Sequence, residues 1–173
     1  LDPETNRYNR PPVPPGTRLL EGYGRSQGIV FRPNDARFQE KSIEAIVAQV
    51  VRDPDCILIN RNPGSGTRIL IDQLLAGARP PGYLSESKSH QAVAAAVAQG
   101  RADWGLAIRQ VALDQQLAFL PLRDEQFDFA IPETRWDWPA VQAFRRLVDD
   151  AVVRERLRKM GFGVRSSVSE PPG

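Results

Sequence analysis

Short apolar runs alternate along the chain with longer segments whose apolar residues recur every three or four positions. Ile43, Ile46, Val47 and Val50 stand at i, i+3, i+4 and i+7, the spacing that lays one apolar stripe along a helix. Ser42 is placed to cap that helix and Asp53-Pro54-Asp55 to stop it. Residues 56–59 are wholly apolar between turn residues, which predicts a strand covered on both faces and therefore a parallel sheet. Ile71, Leu74 and Leu75 predict a helix over 67–76, with Gly77 set to close it. Ser89 heads an alanine-rich helix over 90–99 that Gly100 ends, and 103–108 reads as the next strand. A weaker helix over 110–116, strands at 117–122 and 127–131, and one last helix from Pro139 to about Met160 complete the pattern. Upstream, Leu19, Leu20, Tyr23, Ile29, Val30 and Phe31 predict two short strands broken around Gly22-Tyr23-Gly24, with 28–31 buried. The prolines at 11, 12, 14 and 15 keep the opening segment extended, and the Ser/Pro-rich end is expected to be mobile. Strands alternating with helices predict an α/β fold with right-handed crossovers.

Composition narrows the function classes. A chain of 173 residues, 41% apolar and 25% charged, is long enough for one domain with a sizeable core. It has no apolar run near the 18–20 residues needed to span a bilayer, so membrane insertion is not expected. Lys and Arg number 23 against 21 Asp and Glu, and the arginines are scattered rather than massed, so direct nucleic-acid binding is not expected. With Cys56 alone there is neither an internal disulfide nor a thiolate cluster for zinc, and Cys56 reads as a buried strand residue. One histidine, His90, and no paired carboxylates or nucleophile–base spacing give no catalytic residues, no metal site and no cofactor. Trp104, Trp136 and Trp138 read as core in preference to pocket aromatics, and Asp103 as a partner of Arg101 or Arg109.

Chemistry concentrates in Asn60-Arg61-Asn62-Pro63-Gly64-Ser65-Gly66-Thr67-Arg68. Gly64 and Gly66 lie between a predicted strand and helix, where the chain must turn tightly and a ligand can approach the first helical turn. The N–H groups of a helix start attract anions, Ser65 and Thr67 add hydroxyls, and Arg61 adds a planar fork matched to oxyanions. A plain glycine turn with Ser65 as a helix cap is the competing reading. The segment lacks the glycine spacing and the lysine of a P-loop, and Gly-x-Gly-x-x-Gly does not occur, so nucleotide binding is not expected.

That run, followed by Ser89-His90-Gln91-Ala92-Val93-Ala94-Ala95-Ala96-Val97 and Gly100-Arg101-Ala102-Asp103-Trp104-Gly105-Leu106, resembles the periplasmic-binding-protein-like domain of molybdate-related proteins. Leu1-Asp2-Pro3-Glu4-Thr5, Tyr8-Asn9, Gly22-Tyr23-Gly24-Arg25-Ser26-Gln27-Gly28 and Leu120-Pro121-Leu122 with Glu125 and Phe127 agree in order and approximate spacing, so the resemblance covers about 1–132. It also extends to tungstate-binding proteins of ABC importers, whose comparable segment reads Ser-Arg-Gly-Asp-x-Ser-Gly-Thr. Arg61, Ser65, Gly66 and Thr67 match that segment, whereas Asn62 and Pro63 replace its Gly and Asp. The resemblance implies one type II periplasmic-binding-protein-like domain over 1–173, α/β, in two lobes with a largely parallel sheet. Lobe 2 is expected at about 30–124, and the remainder of lobe 1 with the hinge at 1–29 and 125–165. The family's Gly/Ser-rich anion loop precedes the Leu-Asp-Pro-Glu-Thr segment, so lobe 1 is expected to be truncated at its N-terminus, with a homodimer as one way to cover it.

What the resemblance implies functionally is non-catalytic binding or sensing of a small oxyanion, of the molybdate or tungstate class, in molybdenum-cofactor biology. The expected ligand-binding residues are Arg61, Gly64, Ser65, Gly66, Thr67, Ser89 and His90, with Tyr8 and Arg25 near the hinge. Two alternatives stay open: the solute-binding subunit of an ABC oxyanion importer, or an accessory domain of a molybdopterin molybdotransferase. Expected partners are the oxyanion and a fused molybdotransferase or helix-turn-helix module. Cytoplasmic placement is the expectation, and a signal peptide ahead of Leu1 would make it periplasmic instead.

Overall fold

Residues 13–39 and 42–164 are described by a computed structural model; the readings made for Tyr8, Asn9 and the Ser/Pro-rich tail fall outside them. In chain order the elements are β1 (Thr17–Phe31), a 3-10 turn (Ala36–Phe38), α1 (Ile43–Arg52), β2 (Leu58–Arg61), α2 (Gly66–Leu75), β3 (Glu86–Ser87), α3 (His90–Ala98), β4 (Trp104–Ile108), α4 (Arg109–Asp114), β5 (Ala118–Pro132), a second 3-10 turn (Glu133–Arg135), α5 (Pro139–Asp149) and α6 (Ala151–Lys159). The strands follow one another across the sheet as β3-β2-β4-β1-β5. β2 runs parallel to β3, with Asn60 opposite Glu86, and parallel to β4, with Leu58 opposite Trp104 and Ile59 opposite Gly105. β1 joins antiparallel to β4, from Gln27 opposite Ile108 to Phe31 opposite Trp104. The apolar runs around 56–59 and 103–108 are therefore neighbours in a mixed, mainly parallel α/β sheet, as their composition predicts. The chain divides into two compact units, Gln27–Arg123 and Leu1–Ser26 with Asp124–Gly173.

In the first unit the sheet is covered on both faces, and the alternation of β4 shows how. Trp104 and Leu106 point into one cluster with Leu58, with Ile46 and Val50 of α1, and with Leu70, Ile71 and Leu75 of α2. Gly105 faces the other way, where a methyl group would stand 2.7 Å from the Val93 side chain of α3 and 2.7 Å from the Ile59 carbonyl oxygen. Burying each large side chain of this core contributes about 1.5–3 kcal/mol. Cys56 is fully buried just ahead of β2, and burial pushes its thiol up to about 12.

A knot of charges closes the end of this unit at which β4 begins. Arg32 donates to the Val97 and Ala102 carbonyls at 3.1 and 2.9 Å and to Asp103 Oδ1 at 2.6 Å. Arg37 grips Asp35 through two bonds, 2.8 and 2.6 Å, and reaches the same Asp103 oxygen at 2.9 Å. The other oxygen of Asp103 accepts the Ile57 N–H at 2.8 Å. Burial works to raise the Asp103 pKa, but the Ile57 N–H and the two guanidinium groups outweigh it and hold the carboxyl below its ordinary range. Asp103 thus pairs with Arg32 and Arg37, not with its sequence neighbours Arg101 and Arg109.

The second unit departs from the sequence reading in three places. β1 passes unbroken through Gly22-Tyr23-Gly24. These glycines serve close approach instead of a turn: a Cβ on Gly22 would collide with the Phe127 carbonyl oxygen and stand 3.0 Å from the Phe129 ring, while Gly24 and Gly163 exchange backbone hydrogen bonds. The two strands expected at 117–122 and 127–131 are one, β5. The last helix is two, because Asp150 adopts an extended conformation and accepts the Val152 and Val153 N–H groups as the cap of α6. Trp104 and Trp136 are buried, Trp136 between the guanidinium groups of Arg18 and Arg145, whereas Trp138 is half exposed.

Candidate functional site

Parallel strands β2, β3 and β4 each hand the chain to a helix, so the starts of α2, α3 and α4 gather at the carboxyl ends of those strands. Open α/β sheets place ligands at such an edge. Two of these helices are capped in the same manner. Ser65 Oγ accepts the Arg68 N–H at 3.1 Å and donates to the Asn62 carbonyl at 3.0 Å, while the Ser65 carbonyl accepts the Ile69 N–H at 3.1 Å. Ser89 treats the Ala92 and Val93 N–H groups alike, at 3.1 and 3.2 Å. At α2 the N–H groups of Gly66 and Thr67 are the ones that helix geometry leaves without an intrahelical acceptor. Gly64 turns the loop at φ +82°, and a Cβ on either Gly64 or Gly66 would meet nothing within 4 Å, so the space before this turn is open. Thr67 is buried, which places it inside the unit, unlike the accessible Gly66.

Arg61 ties the two helix starts together. It is the last residue of β2, where the loop into α2 begins, and its guanidinium lies across the link into α3. There it donates to the Ser87 carbonyl through Nε and to the Lys88 carbonyl through Nη2, both at 3.3 Å. Nη1 lies 3.2 Å from His90 Nδ1. A guanidinium only donates, so a hydrogen bond here needs Nδ1 as its acceptor. These contacts fix the planar fork at the positive ends of two helices, an arrangement suited to an anion.

Arg61, Gly64, Ser65, Gly66, Ser89 and His90 thus share one edge of one unit, while Thr67, expected with them, is buried behind it. Arg25 belongs to the other unit, where it pairs with Glu125 and lies 5.0 Å over the Phe127 ring. Sequence reasoning missed the brace behind the loop. Arg68 bonds Asp72 at 3.0 Å, Glu86 at 2.9 Å, Tyr83 Oη at 2.8 Å and the Arg61 carbonyl at 3.2 Å. Burial opposes the charge on Arg68, but the bonds to Tyr83, Asp72 and Glu86 more than offset it and raise its pKa. The i, i+4 spacing of Arg68 and Asp72 was the available signal. Asn60, buried in β2, completes the brace by accepting the Arg61 N–H at 2.8 Å and donating to the Tyr83 carbonyl at 3.1 Å.

A concavity of about 500 Å³ lies at the far end of the unit, lined by Arg32, Asn34, Asp35, Ala98, Gln115 and Gln116 among others. It adjoins the carboxyl ends of α3 and α4, whose carbonyls disfavour anions. Among the described residues no group of three or more His, Cys, Asp or Glu side chains is placed to hold a metal ion, and no helix is long and apolar enough to cross a membrane.

Comparison with known proteins fits this architecture. The uncharacterised protein YvgK of Bacillus subtilis (strain 168) is 33% identical over 137 residues, which are 75% of this chain but 44% of that protein, so the chain spans less than half the length of this relative. A protein of Clostridium perfringens solved with bound phosphate superposes with a TM-score of 0.68 at 11% identity, over 87% of this chain and 73% of the other. The tungstate binding protein of Desulfovibrio alaskensis G20 gives 0.51 at 12% identity, over 81% and 64%. At such identities the structural likeness is one of fold. The sequence model of the PBP superfamily domain matches residues 1–149, and by that match over most of its length the chain belongs to the PBP superfamily domain family.

Proposed function

We propose that the chain is a non-catalytic binding domain for a small oxyanion, gripped by Arg61 and by the helix starts that Ser65 and Ser89 cap. The observation that carries this reading is the anchoring of the Arg61 fork to Ser87, Lys88 and His90, beside the open turn at Gly64 and Gly66. An oxyanion accepts hydrogen bonds and donates few or none, so an edge rich in fixed donors suits it better than a neutral solute. Each helix start adds the equivalent of roughly half a positive charge. Membership of the PBP superfamily domain family supports the reading, as does a fold shared with a phosphate-bound protein and a tungstate binding protein. The ligand class proposed is molybdate or tungstate, in a setting of molybdenum-cofactor biology. Calorimetric titration of the chain with molybdate, tungstate, sulfate and phosphate tests it. Saturable 1:1 binding of molybdate or tungstate supports the reading, and heats of dilution alone for all four anions refute it.

A further inference from the structure

His90 is the sole histidine of the chain and occupies the first position of α3, with Nδ1 3.2 Å from Arg61 Nη1. The contact exists only while Nδ1 is unprotonated, because a guanidinium offers donors and no acceptor. The charged groups on the elements packed around the head of α3 can be named. β2 brings Arg61 and β3 brings Glu86, which is already engaged by Arg68 at 2.9 Å. β4 carries no charged side chain. α4 brings Arg109, stacked over Phe119, and Asp114, which accepts from Gln110. Lys88 lies in the link. This balance is cationic, and the positive end of α3 adds to it, so a positive charge on the ring is disfavoured until an anion is present, and the neutral ring can accept from Arg61. An anion in the site reverses both terms: it supplies acceptors that can replace Nδ1 for Arg61, and its charge favours an imidazolium beside it.

On the oxyanion reading given above, we propose that this site takes up its anion together with one proton, which lands on His90. His90 is then a proton-linked positioning residue, aiming Arg61 in the empty site and adding a donor and a positive charge in the filled one. By linkage, the affinity for an anion of fixed charge rises as pH falls through the range in which only the complex holds the proton, by up to tenfold per pH unit.

Sulfate is the probe, since its charge is constant from pH 5 to 8. With one histidine in the chain, the imidazole resonances need no assignment, and two-dimensional proton–nitrogen spectra report its titration directly. Saturating sulfate is expected to move the imidazole midpoint up by about one pH unit, and the sulfate affinity is expected to rise several-fold, by about three- to sixfold, between pH 8 and pH 6. His90→Asn keeps an acceptor for Arg61 but cannot titrate, so its sulfate affinity should be level with pH. Saturable sulfate binding with an unmoved imidazole midpoint, or with the same pH slope in His90→Asn, would overturn the proton linkage and leave the site standing. Failure of sulfate, phosphate and molybdate alike to saturate the chain at any pH would overturn the site itself, and the linkage with it.

Discussion

Replacing Asp103 by Asn removes the one negative charge shared by Arg32 and Arg37 where β4 begins. Asp103 receives two charge-assisted hydrogen bonds, at 2.6 and 2.9 Å, and the Ile57 N–H at 2.8 Å. Bonds of the first kind contribute about 1.5–3 kcal/mol each, and the bond from the Ile57 N–H, made at an exposed residue, about 0.5–1.5 kcal/mol. Three features reduce the sum. Arg37 keeps both bonds to Asp35, Arg32 keeps the Val97 and Ala102 carbonyls, and the Arg32 side chain is 36% exposed, which lets water screen its charge. The net expectation is a loss of about 2–3 kcal/mol. For a chain of this size that corresponds to a melting temperature lower by roughly 5–10 °C, with a matching shift in the urea midpoint at constant slope. The pH dependence carries its own sign. The folded Asp103 carboxyl titrates below its ordinary value of 3.8, so its contribution is fully present above pH 4 and is lost as pH falls below that through the folded value. Asp35, held down chiefly by its bonds to Arg37, behaves in the same way. Asp103→Asn should therefore lower stability at pH 7 and flatten the acid limb below pH 4. A urea midpoint equivalent to less than about 0.5 kcal/mol from the wild type at pH 7 would mean instead that the knot is solvated decoration that contributes no stability.

Three further outcomes follow from single contacts. Gly22→Ala drives a methyl group into the Phe127 carbonyl, which cannot rotate aside, and should cost about 3 kcal/mol in urea unfolding. The Cys56 thiol, fully buried and pushed up to about 12, should resist a disulfide exchange reagent at pH 8 in the folded chain and react at once in denaturant. Gly66→Ala meets open space at the first position of α2, so thermal melting should hold steady or improve by up to about 1 kcal/mol, while the methyl group before the loop weakens oxyanion binding in calorimetry.

Much of the first unit was legible in the sequence because each of its elements carries its own punctuation. Ser42, Ser65 and Ser89 are all observed caps, and α2 closes through a left-handed Ala76 followed by Gly77. Long-range contacts were not legible in that way. Gly22 and Gly24 looked like a break because glycine's usual signal is a turn, whereas here the reason is the approach of Phe127 and Gly163, more than 100 residues away. Asp103 was assigned to nearby arginines for the same reason, and its partners come from 66 and 71 residues upstream. In the site, the turn and its caps were readable from Gly64, Ser65 and Ser89. The bridge from Arg61 to His90 was not, since it depends on β2 and β3 pairing in parallel with Arg61 opposite Ser87.

Whether Arg61 and the helix starts around it bind an anion is decided by calorimetric titration of the wild type and of Arg61→Ala with molybdate and tungstate, with thermal melts of both. Arg61→Ala is expected to lose about 1.5–3 kcal/mol of binding free energy, roughly a 10- to 150-fold weaker affinity, while the fold survives with about 1 kcal/mol less stability from the lost bonds to Ser87 and Lys88. Arg61→Lys should recover only part of the affinity, because a point charge does not reproduce the planar fork. Equal affinities for wild type and Arg61→Ala would rule out an anion contact at Arg61 and reduce the turn at Gly64-Ser65-Gly66 to a plain helix cap.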